Sequence, residues 1–91
     1  MSLLTADFQV FEKKLSSVID SARSLEEIEA WIRSQQGVES VQLADYLMKS
    51  NPPQREFFVE FCMQDGSKIK KVINIFELGN QQFKFHELRD E

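Results

Sequence analysis

Residues 56–88 read EFFVEFCMQDGSKIKKVINIFELGNQQFKFHEL, three runs of aromatic and branched residues punctuated by Asp65-Gly66 and Gly79-Asn80. Such side chains fill a pleated, half-buried surface well, and both dipeptides accept the positive φ angles that tight hairpin turns require. The pattern predicts strands over 56–63 and 68–78 and a last short strand in QFKFHEL, joined as an antiparallel meander. No other feature restricts the fold as much, because two short turns leave consecutive strands little choice but to lie side by side.

The first third of the chain has a different period. From Thr5 to Ala22 the apolar residues Phe8, Phe11, Leu15, Val18, Ile19 and Ala22 recur at three- and four-residue steps, the stripe of an amphipathic helix that Thr5 or Asp7 caps. At Ser24 the sequence SLEE places a hydroxyl at an N-cap with Glu27 three residues on, so each side chain is placed to satisfy the other's free backbone N–H. The second helix carries Leu25, Ile28, Trp31 and Ile32 on one side, and Gly37 stands where a left-handed C-terminal cap is expected.

Between helices and hairpins, VESVQLADYLMKS alternates imperfectly through Val41, Leu43, Asp45 and Leu47, which predicts a further strand. Its alternative is a third helix through Val41, Ala44, Leu47 and Met48. The chain would then be a winged helix, with the Asp65-Gly66 hairpin as its wing and little positive charge to offer DNA. Pro52 and Pro53 stiffen the connection to the next strand. A docking ligand would need a PxxP spacing, which SNPPQREF lacks. The expected fold is therefore α+β: two N-terminal helices packed on one face of a three- to four-stranded antiparallel meander, one domain over 1–91.

Composition narrows the function classes. With 42% hydrophobic and 29% charged residues the chain is of ordinary globular type, and nothing in MSLLTADFQVFEKKL forms the apolar core of a signal peptide, so a cytoplasmic protein without membrane attachment is expected. A net charge of −4 offers no general attraction to nucleic acid. Lys68, Lys70, Lys71 and Arg55 near Phe57 and Phe61 are the one basic concentration; stacking of RNA would need those aromatics exposed, whereas the core needs them buried. The single cysteine, Cys62, and the single histidine, His86, provide no metal-ligand spacing and no oriented nucleophile and base, so no cofactor, metal or catalytic residue is expected.

Two-residue loops at both turns would oppose Glu60 to Lys71, Phe58 to Ile73, Phe76 to Phe83 and Ile73 to His86. That register sorts Phe57, Val59, Phe61, Met63, Val72, Phe76, Leu78, Phe83 and Phe85 onto a core face. It leaves Phe58, Cys62, Ile69, Ile73, Ile75 and Leu88 on the other, with His86 and charged residues between them. An apolar patch rimmed by charge suggests a contact outside the fold, either a second copy or a protein partner, with Phe58, Ile69, Ile73, Ile75 and His86 at the interface. The alternative function is a small-ligand protein or enzyme with a cleft between helices and sheet near Trp31, Asp45 and Tyr46.

Overall fold

A computed structural model of the protein describes residues 7–91. Helices α1 (Asp7–Ser21) and α2 (Leu25–Arg33) precede strands β1 (Val38–Leu43), β2 (Gln54–Cys62), β3 (Lys68–Gly79) and β4 (Gln82–Asp90), which form one antiparallel sheet in the order β1-β2-β3-β4. The α+β architecture is the one the periodicities predict. Strand β1 removes the third helix of a winged-helix arrangement: VESVQL pairs with β2, setting Val41 opposite Val59 and Leu43 opposite Phe57. Both prolines lie in the connection between β1 and β2, as their missing N–H groups require.

Local chemistry sets the helix ends. Ser24 Oγ accepts from the Glu27 N–H at 3.2 Å, while the Glu27 carboxylate reaches past Ser24 to the Arg23 N–H at 3.0 Å, a variant of the expected reciprocal cap. Thr5 lies outside the described residues. Helix α2 ends at a right-handed Ser34 cap, so Gly37, with φ of 89°, serves the turn into β1 and does not close the helix.

Both helices cover the same face of the sheet, α1 over β4 and α2 over β1. Leu15, Ile19, Ile28 and Ile32 are fully buried there against Phe57, Phe61, Ile73 and Ile75. Phe61 meets the rings of Phe8 and Phe11 edge-on at 5.0 and 5.3 Å, and Phe11 stacks on Trp31 at 5.6 Å. These are the offset and T-shaped geometries that the ring quadrupoles favour.

The predicted core membership of β3 is corrected here. Phe57, Val59, Phe61, Met63, Phe83 and Phe85 lie on or against the core as expected, but Ile69, Ile73 and Ile75 join them, Val72 and Phe76 face the other way, and Leu78 is exposed at the irregularity between Glu77 and Gly79. The cause is one residue of loop. The Met63 N–H donates to the Ser67 carbonyl, and the Gly66 N–H donates back to the Met63 carbonyl at 2.9 Å, making a three-residue loop with Gly66 at φ of 90°. Glu60 consequently faces Lys70 and Phe57 faces Ile73, one step from the predicted register, and a one-step slip turns every side chain of the strand over.

At the second hairpin, Asn80 and Gln81 occupy the turn with φ of 54° and 58°, displacing the predicted Gly79-Asn80 pair by one position. Opposite Asn74 and Ile75 the register of β4 shifts again, and His86 is the extra residue. That bulge puts Phe83, Phe85 and Leu88 on the helix-covered face although the spacing between Phe85 and Leu88 is odd. Leu88 is thus corrected from the outer face to the edge of the core.

Candidate functional site

The face of the sheet that the helices leave open is built from cross-strand rows. Gln42, Phe58, Val72 and Arg89 form one row, and Glu56, Asn74 and Glu87 form the next. A third row sets Gln54 beside Phe76 and Lys84, and there the ring of Phe76 meets His86 at 4.6 Å. Phe58 and His86 therefore lie on the outer face as the sequence predicts, whereas Ile73 and Ile75 are completely buried beneath the helices and Ile69 packs against that core.

The centre of this face is polar and yet sealed. Glu56 retains only 3% of its surface exposed and Asn74 only 1%, values that demand internal partners for both. Tyr46, from the β1–β2 connection, donates its hydroxyl to Glu56 Oε1 at 2.6 Å; Asn74 Nδ2 donates to Oε2 at 3.1 Å, and Arg89 Nη2 donates to the same oxygen. The other amino group of Arg89 lies 3.4 Å from Glu87, so one guanidinium bridges two carboxylates flanking Asn74. Asn74 Oδ1 has no hydrogen-bond partner among the described residues, and Met48 closes over the amide with its sulfur 3.7 Å from Nδ2.

Burial by itself would raise the Glu56 carboxyl, but the hydrogen bonds from Tyr46, Arg89 and Asn74, helped by the Arg89 charge, outweigh it and hold the group below the ordinary carboxyl range. The same bond raises the Tyr46 phenol, with loss of solvation and the Glu56 charge acting in the same direction. Arg89 is likewise pushed up, chiefly by its hydrogen bond to Glu56, which with the lesser help of the Glu56 and Glu87 charges outweighs the opposing loss of solvation. The network consequently holds an ionised carboxylate with both oxygens occupied, a poor proton acceptor.

Beside Tyr46 the same face forms a groove of about 430 Å³, whose lining includes Gln42, Asp45, Tyr46, Phe58, Glu60 and Lys70. This placement corrects the predicted cleft. Trp31 stacks on Phe11 between the two helices, while Asp45 and Tyr46 belong to the opposite face, because the chain after Leu43 swings over the outer side of β2 and rejoins it at the Met48–Gln54 bridge. Sequence reasoning missed Glu56, Asn74 and Arg89 altogether. Their signal was available only as charge and amide in alternate positions of runs otherwise read for their aromatic residues.

The basic concentration also divides. Lys68 and Lys70 are exposed on the outer side of the hairpin, Arg55 pairs with Glu77, and Lys71 bonds Asp90 at 2.8 Å while its ammonium sits 4.9 Å from the centre of the Phe8 ring. Phe57 and Phe61 are fully buried. Cys62 is half-buried, its thiol directed to the Met63 carbonyl, and the described residues contain no group of three or more potential metal ligands. No helix among them is long and apolar enough to cross a membrane. Compared with known protein families, with curated proteins and with solved structures, the chain matches none of them.

Proposed function

We propose that the protein is a non-enzymatic interaction module, working in the reducing cytoplasm, that binds a partner polypeptide on the open face of its sheet. The observation that carries this reading is the apolar surface around the sealed network. Phe58 and Phe76 are half-buried with no helix of the described residues above them, and Tyr46, Leu47 and Met48 remain 45%, 40% and 38% exposed in the connection beside them. Exposed aromatic and methionine side chains, here flanking the sealed network, are enriched at protein interfaces. Chemistry is the weaker account, since Glu56 already accepts three hydrogen bonds and His86 stacks on Phe76. A small polar ligand is the second reading, favoured by the groove beside Tyr46.

Retention of cellular proteins on the immobilised chain tests the first reading, compared with Phe58→Glu on the open face and Val10→Glu on the helix surface. Val10 is 52% exposed and far from the patch in sequence. Partners held by the wild type and by Val10→Glu but lost with Phe58→Glu are expected; retention indifferent to Phe58→Glu defeats the reading.

A further inference from the structure

The two edges of the sheet differ in what their backbone offers. Ala44 donates to the Glu56 carbonyl, so by alternation Val41 and Leu43 turn their peptide groups outward, and Arg33 Nη2 caps the Val41 carbonyl at 3.2 Å. Strand β1 is also short, and its chain leaves the edge after Leu43. On the other side, Glu77 donates to Pro53 and Glu91 donates to Lys70, which fixes the alternation through β3. Phe83, Phe85, Leu88 and Asp90 therefore present their N–H and C=O groups outward along a nine-residue strand, and no cap of the Arg33 kind meets them among the described residues.

We infer that this edge pairs with the β4 edge of a second copy, antiparallel about a two-fold axis, to make a continuous eight-stranded sheet. A regular strand pairs with itself about such an axis only if residues separated by an even number of positions face one another, since paired residues share a face. The His86 bulge changes that parity for pairs that straddle it. Phe83 can then face Leu88 of the partner subunit, both with outward peptide groups and both on the helix-covered side. On the open side the same register sets Lys84 against Glu87 of the partner subunit, twice by symmetry, and Gln82 against Arg89 of the partner subunit. Moving by the next allowed step brings Lys84 against Arg89 of the partner subunit, a like-charge pair that disfavours it. In this dimer both open faces lie on one side, which doubles the surface proposed above for a partner but does not depend on it.

Absolute mass in solution, measured by sedimentation equilibrium across a concentration series, tests the pairing. The wild type is expected at twice the 10.6 kDa of one chain. Lys84→Glu and Glu87→Lys each weaken the dimer by about tenfold or more, since two attractive pairs become repulsive. The double variant Lys84→Glu with Glu87→Lys restores it, because the exchange rebuilds both pairs with opposite polarity. A wild type that stays at 10.6 kDa at the highest concentration, or a charge exchange that stays as weak as the single variants, overturns the inference. Phe58→Glu leaves the mass unchanged, which separates this result from failure of the open-face reading.

Discussion

Phe57 and Phe58 are neighbours on β2, and the difference between them is the difference between the two faces of the sheet. Phe57 is fully buried under both helices, whereas Phe58 is half-buried in a row with Gln42, Val72 and Arg89. Depth is not what separates the faces, since Glu56 and Asn74 on the open side are as inaccessible as many core residues. What differs is the means of covering. The helices seal one face with aliphatic and aromatic contacts that fit many ways. The β1–β2 connection seals the centre of the other through directional bonds from Tyr46 to Glu56 and a sulfur contact from Met48 to Asn74. A polar seal of this kind fixes where the connection lies, and so where Leu47 and Met48 are displayed.

Breaking the helix-covered side has the largest expected effect. Ile73→Glu introduces a charge into a fully buried apolar site and costs about 5 kcal/mol or more, as much as the entire stability of many small domains. Circular dichroism should show the helical signal lost along with the near-ultraviolet aromatic bands; a folded Ile73→Glu would mean that the Gly66 loop sets a different register. On the open side, Glu56→Ala leaves the Asn74 amide and the Arg89 guanidinium without their acceptor. A loss of about 2 kcal/mol, read from the urea midpoint at unchanged slope, is expected, with the fold preserved.

Acid sharpens the same contrast. Because the folded Glu56 carboxyl titrates below its ordinary value of 4.5, its contribution is complete above that pH and disappears as pH falls through the lower folded value. The stability advantage of the wild type over Glu56→Gln should therefore be constant near neutrality and shrink on acidification below about pH 4.5. Some acid dependence persists in Glu56→Gln, since Asp65 is also held low by the Ser67 hydroxyl and N–H. The smallest effect belongs to Tyr46→Phe, which keeps the ring and removes one donor. The Glu56 carboxyl should titrate higher, as followed by carbon-13 chemical shift, with the core resonances unmoved.

How far the chain was readable follows from how local each signal is. Ser24 and Glu27 lie within one turn of helix, so the start of α2 was legible, as were the apolar stripes and the β runs. Phe58 and His86 reached the outer face because β2 keeps its alternation and β4 keeps the predicted one as far as the bulge at His86. Ile69, Ile73 and Ile75 were misplaced because Asp-Gly serves equally a two-residue turn and a three-residue loop with glycine at its end, and nothing nearby in sequence distinguishes them. Opposed charges did not arbitrate, since Glu60 meets a lysine in both registers, Lys71 or Lys70. Tyr46 and Trp31 appeared close because the path of a connection is not written in its own residues. The partner of Tyr46 lies ten positions on, and Arg89 reaches Glu56 from another strand entirely.

The sequence by itself determined the identity and order of the elements, because periodicity, caps and turn residues act over a few neighbours. Only the tertiary structure decided which face of β3 is the core, which side the β1–β2 connection covers, and that Glu56, Asn74, Arg89 and Tyr46 converge. The physical reason is the two-residue period of a strand. One residue more in the loop at Gly66 and one more in the bulge at His86 each turn over everything beyond them, and the choice is made by burying Ile73 and Ile75, with Ile69 packed beside them, against helices some forty residues away in the chain.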